Sequence, residues 1–341
     1  MGCPSRVLQT RAELSDLVRI VADSCHSFSL ALARSDPPPL QPAPPRKAGS
    51  RGFFSLRSAT WLSVISASMA GDGGGRIDAE LERLLRAAAP LWSAEAELVE
   101  AYFSGPTRTQ AHDLLWLERQ CYKELVDGVE PRLRALHDGL DELGDPDRRA
   151  GALVDADELE EELRHLDLFL AAHQAVAGTD ATPLDVARLR REGGWPENDA
   201  LREARARHRR DHGRLGQLAE AATEGGCCTL YAAGMQLPIQ NAADELIVAA
   251  NRTVYVDEVR HMRLDKIGER GLTSADWSVL TDLVAEQLRL RVDMRDAQFS
   301  HPLDEERVAE LRAGGAAIRV DILERIGLTA DQAGRVATSS T

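Results

Sequence analysis

Apolar residues recur along most of this chain at intervals of three and four, the spacing that places them on one face of an α-helix. Leu81, Leu84, Leu85 and Ala88 open the first such stretch, Ile77 to Phe103, which Pro90 should interrupt and which should pack outside the main bundle. From Thr107 to about Glu130 two stripes compete. One is Leu114, Leu117, Cys121, Glu124; the other is Leu115, Glu118, Tyr122, Leu125. Pro131 should end that helix. Asp155 or Asp157 then caps a helix to about Ala177, with Glu158, Glu162, His165, Phe169 and Ala172 on its inner face. A connection over 178–198 holds the turn Gly193-Gly194-Trp195-Pro196. An Arg-rich segment, Leu201 to Arg214, then runs on as one helix to about Met235. The next helix reaches about Gly268 and carries the inward stripe Ile247, Asn251, Val254, Glu258, His261. Two covering helices follow, Gly271 to about Phe299 and Leu303 to Ile326, and 329–341 reads as a flexible tail.

Composition narrows this to an all-α fold. Of 341 residues 43% are hydrophobic but only 4% aromatic, so strand formers are scarce. The net charge of −14 argues against nucleic-acid or anionic-membrane binding. No apolar run reaches the ~18–20 residues of a membrane span. Five scattered cysteines at 3, 25, 121, 227 and 228 form no C-x-x-C pair, which suits a cytoplasmic protein. Residues 1–72 differ: they are net basic and carry Pro37-Pro38-Pro39 and Pro42-Ala43-Pro44-Pro45. Three readings stay open for them: a disordered tail, an extension upstream of a true start at Met69, and a targeting segment. The helical domain is expected over 76–328.

The chemistry lies in two near-identical stretches, Glu161-Glu162-Leu163-Arg164-His165 and Asp257-Glu258-Val259-Arg260-His261. Each reads acid–Glu–x–Arg–His. Glu and His three apart share a helix face. Roughly one Glu-x-x-His is expected by chance in such a chain, but the doubled five-residue form only about once in ten thousand. Two such pairs, plus a carboxylate from each of two more helices, form the ligand set of a di-metal carboxylate site in a four-helix bundle. On the first helix, Glu124 and Glu118 both qualify. Glu162 lies seven residues into its predicted helix, and an antiparallel neighbour should carry its ligand about seven residues before its own end, which favours Glu124. Glu224 is the expected third-helix ligand, followed by Gly225-Gly226. Cys227, Cys228 and Tyr231 lie just beyond it and are the candidate pocket residues.

Four carboxylates and two imidazoles make a hard donor set suited to two irons, or to a manganese–iron pair. A histidine bound through one nitrogen needs a partner for the other. Glu161 and Asp257 are placed for that task, with Arg164 and Arg260 to neutralise and orient them.

On these motifs the chain resembles the ferritin-like non-haem di-iron oxidase superfamily over about residues 107–268. The motif is most similar to those of multicomponent monooxygenase hydroxylase subunits and acyl-carrier-protein desaturases; arylamine N-oxygenases share the fold with a looser motif. The resemblance implies a ferritin-like four-helix bundle with covering helices. Glu162, His165, Glu258 and His261 transfer directly as ligands, and Glu124 and Glu224 by spacing. Several relatives carry a Thr near the Cys227/Cys228 position, so the pocket differs there. The implied activity is O2-dependent hydroxylation or N-oxygenation of a small organic substrate. The alternatives are desaturation of a carrier-bound acyl chain and ferritin-like iron oxidation or storage. Electrons would come from an external ferredoxin or reductase, and a homodimer is compatible. The Arg-rich segment 201–214 reads either as a solvated, internally paired helix or as a docking patch for an acidic partner.

Overall fold

A computed structural model of the protein describes residues 78–106, 108–223, 227–261 and 271–338; the Pro-rich N-terminal segment, Glu224 and the side chains of Cys227, Arg260 and His261 lie outside the described residues. Every regular element among the described residues is helical, and the fold is all-α.

Helix α1 (Ala79–Ser104) starts where the Asp78 carboxylate accepts hydrogen bonds from the backbone N–H groups of Glu80 and Leu81. It runs straight through Pro90. Pro90 forfeits one helical hydrogen bond, but Leu84, Leu85, Trp92, Leu98 and Val99 around it are fully buried. Packing outweighs the local defect, and α1 is a core helix.

Helix α2 (Gln110–Lys123) is capped by Thr109. It does not stop at Pro131. It widens into a π-helical turn, Glu124–Val129, and continues as α3 (Glu130–Gly139). In that turn the Glu130 N–H reaches back to the Leu125 carbonyl, five residues away. Pro131 thereby falls in the first turn of α3, where its missing N–H is harmless. Helix α4 (Pro146–Ala177) begins nine residues earlier than Asp155. Asp145 is its cap, accepting from the N–H groups of Asp147 and Arg148, and Gly178 ends it at φ +100°. Both arms of this antiparallel pair are longer than the apolar pattern suggests, by similar amounts, so the register that favoured Glu124 survives.

After α5 (Val186–Glu192) the Arg-rich segment forms α6 (Pro196–His212) and then breaks at Gly213, φ +52°. The expected single helix to Met235 is therefore broken at Gly213, and beyond it the described helical stretches are α7 (Arg214–Thr223) and α8 (Cys227–Gly234), with 224–226 outside the described residues. Gly216 explains the tight fold-back: a Cβ there would stand 2.3 Å from the His208 backbone. Helix α9 (Ala242–His261) carries the second motif. Thr273 and Asp276 form a capping box for α10 (Ser274–Gln298). The region expected as one last helix is split by Gly314, φ +86°, into α11 (Glu305–Arg312) and α12 (Val320–Arg325). The expected tail contains α13 (Ala330–Thr338), with Ala333 and Val336 fully buried.

Helix α4 packs against α2 and α9, α8 packs against α9 and α1, and α10 lies along α1, α6 and α7. One apolar cluster fills the space among α2, α4, α8, α9 and the ends of α1 and α10; a second joins the other ends of α1 and α10 to α7, α12 and α13. None of the described helices is long and apolar enough to cross a membrane.

Candidate metal centre

The inner face of α4 is apolar above and below one polar break. Phe169 and Ala172 are fully buried, and so is His165, with Glu162 nearly so. Across from them α2 presents Trp116, Leu117 and Cys121, all fully buried, and then Glu124 at the first position of the π-helical turn. Glu124, Glu162 and His165 converge, with ligand-type atoms all within 4.8 Å of one another. His165 Nδ1 lies 3.9 Å from Glu124 Oε2 and 3.8 Å from Glu162 Oε2. These distances are too long for hydrogen bonds, and Nδ1 is buried without a hydrogen-bond partner. The other ring nitrogen, Nε2, lies 3.3 Å from Asp257 Oδ2 on α9, and Arg164 Nη1 lies 3.4 Å from the same oxygen.

The π-helical turn also makes room. A Cβ on Gly128 would stand 2.4 Å from Glu162 Oε2, so the Glu162 carboxylate occupies space that only glycine leaves open at this position. One widened turn thus supplies Glu124 and the cradle for Glu162, in keeping with the frequent placement of such turns at functional sites.

The electrostatics favour a cation. Burial drives the Glu124 carboxyl up to about 6; the charge of His165 opposes this and that of Glu162 adds to it. Burial alone would depress the His165 value, but Glu162, Glu124 and Asp257 outweigh it and raise it to about 9. A proton on His165 is thus held by surrounding carboxylates, the position a metal ion would take in its place. The orphaned Nδ1, the two carboxylates facing it and the glycine cradle all fit a bound metal.

Other expected residues fall as follows. Glu118 is not in the group; it lies on another face of α2, 3.6 Å from Arg188. Glu258 is partly buried on α9 and does not join the three-residue group; Glu161 is partly buried on α4. Glu224 and the side chains of His261, Arg260 and Cys227 lie outside the described residues. Cys228 is buried. Tyr231 is buried with its hydroxyl 3.3 Å from Glu124 Oε1. Glu158 pairs with Arg132. The arginines of α6 are largely paired within the chain: Arg202 with Asp127, Arg207 with Glu286 and Arg209 with Glu220.

Two residues at the centre had no motif to announce them. Gln120, one turn before Glu124, donates from Nε2 to Glu124 Oε1, and Gln298 at the end of α10 donates to Gln120 Oε1 at 3.0 Å. The only trace of Gln120 in the sequence is an amide on an otherwise inward apolar face. Comparisons with protein-family models, with curated proteins and with solved structures found no match. The functional reading stands on the residues and geometry of this chain.

Proposed function

We propose that the protein is an O2-dependent non-haem di-iron oxidoreductase that hydroxylates or N-oxygenates a small organic substrate, with electrons from an external donor. The observation that carries the reading is the buried His165 Nδ1, unpartnered and facing two carboxylates, in the first of two matching acid–Glu–x–Arg–His motifs. Glu124, Glu162 and His165 would hold one part of the centre. Glu258, His261 and Glu224 would complete it in the ferritin-like arrangement that the doubled motif implies.

Bound iron would supply the redox chemistry for placing an oxygen atom into a C–H or N–H bond. The chain's own residues set the conditions for it. Asp257 holds the Nε2 edge of His165, which fixes the tautomer that keeps Nδ1 as a lone pair toward the site. Arg164 neutralises Asp257 from the exposed side. Leu117, Cys121, Phe169 and Val254, all fully buried, keep bulk water away, which strengthens every charge interaction inside.

Anaerobic loading with Fe(II), followed by metal analysis and exposure to O2 under optical observation, tests the reading. Close to two irons per chain and an O2-dependent absorption band are expected. Binding well below two irons with no such band would sink it. Glu258→Ala should lower the iron content; unchanged content would remove Glu258 from the centre.

A further inference from the structure

A chain of buried side chains runs from α1 across α10 to Glu124. Glu95 on α1, fully buried, accepts from Arg291 at 2.7 and 3.1 Å and from Arg295 Nε at 2.8 Å. Arg295 Nη1 then donates to Gln298 Oε1. Gln298 Nε2 donates to Gln120 Oε1, and Gln120 Nε2 donates to Glu124 Oε1 at 2.5 Å. The hydroxyl of Tyr231, 3.3 Å from both Gln120 Nε2 and Glu124 Oε1, closes the last step.

The direction of this chain is forced. A guanidinium can only donate, so the Gln298 carbonyl must face Arg295 and its NH2 group must face Gln120. The Gln120 carbonyl is then taken, and its NH2 group must face Glu124. Two amides thus carry the donor character of Arg295 to a carboxylate oxygen that can only accept. Oε1 of Glu124 is engaged by Gln120 and Tyr231, while Oε2 is the oxygen turned toward His165 Nδ1.

We propose that Gln298 and Gln120 are positioning residues that transmit donor polarity from the Glu95–Arg291–Arg295 cluster to Glu124, engaging its Oε1 and presenting Oε2 alone to the metal. The inference rests on the metal-centre reading above. It gives α10 a direct hand in the centre.

The test compares Gln298→Glu with Gln298→Met, using Co(II) as the probe. Gln298→Glu is isosteric and adds a carboxylate beside Arg295, so folding should tolerate it. Yet it reverses the relay: Gln120 must turn its NH2 group to the new carboxylate and its carbonyl onto Glu124 Oε1. Gln298→Met leaves Gln120 free to keep donating. The expected result is Co(II) affinity about 10- to 100-fold weaker in Gln298→Glu, with shifted visible bands, and a smaller loss in Gln298→Met. A packing role alone gives the opposite order, because Glu fits the space of Gln better than Met does. Gln120→Leu, one step nearer, should weaken binding at least as much as Gln298→Glu.

A second measurement needs no metal. In metal-free protein labelled with [15N]glutamine, the Gln120 side-chain amide signal is identified by its loss in Gln120→Leu. It should move in both Gln298→Glu and Glu124→Gln. A stationary signal overturns the relay, and so does wild-type Co(II) binding that all three glutamine variants retain unchanged. Wild-type protein that binds no Co(II) overturns the metal centre and this role with it.

Discussion

Gly128 separates two effects that a single substitution usually mixes. A methyl group there would meet Oε2 and Cδ of Glu162 at 2.4 and 2.8 Å. Those atoms are the far end of a flexible side chain, so the clash is relieved by turning Glu162 away rather than by moving the helix. Alanine also suits a helix better than glycine by about 1 kcal/mol. Gly128→Ala should therefore keep or raise the thermal stability of the metal-free protein, while weakening metal binding by at least about tenfold, ~1.4 kcal/mol. Calorimetry of the metal-free protein and a metal titration give the two readouts. A fall in stability with unchanged metal affinity would mean that the glycine serves the turn and not the carboxylate.

At the scale of elements, the pairing of α1 with α10 depends on Glu95 between Arg291 and Arg295, all fully buried. Removing the carboxylate takes away the acid that both buried guanidinium groups share, so Glu95→Ala should cost about 3–5 kcal/mol in urea unfolding. Burial alone would raise the Glu95 carboxyl, but the two arginines hold it below the ordinary 4.5. A folded-state value below the unfolded one means stability that is present above about pH 4.5 and lost as the pH falls through the folded value. Unfolding free energies below pH 4.5 should thus fall more steeply in the wild type than in Glu95→Gln. Equal slopes would show that other acids govern acid unfolding.

The helices themselves were legible, because an apolar stripe at three–four spacing has few other solutions. Their ends were not. Pro131 reads as a stop, yet the π-helical turn at Glu124–Val129 absorbs it, and no local signal marks a widened turn. Asp155 and Asp157 look like caps, but so does Asp145 before Pro146, and packing along α2 and α3 extends α4 to the earlier one. Of the centre, the ligating types at fixed spacing stood out, as did Asp257 and Arg164. The relay did not. Gln287, Arg291, Arg295 and Gln298 share one face of α10, which in a sequence reads as a solvated face; only the position of α10 against α1 and α2 turns it inward.

For the whole molecule, the two apolar clusters share α1 and α10 but hold different cargo. Glu124, Glu162 and His165 stand among the residues of the first, whereas α13 closes the second by packing on α12 and α1. The polar composition of 329–341 suggests a frayed end, but Val336 and Ala333 are fully buried there, and Gln332 accepts from the Thr329 backbone N–H. Burying a valine is worth about 1.5–3 kcal/mol, and a loss of that size lowers the melting temperature of a large domain by roughly 3–10 °C. Ending the chain after Leu328 should therefore lower the melting temperature by several degrees. On the proposed function, the iron bound per folded chain at 25 °C should not change, because Ala333 and Val336 of the removed helix belong to the second cluster. Calorimetry on the shortened protein, paired with metal analysis, distinguishes the outcomes. An unchanged melting temperature would return α13 to the status of a loose end. Loss of iron together with stability would mean that the clusters unfold as one unit, with α1 and α10 coupling the C-terminal helix to the centre more tightly than their separate contents suggest.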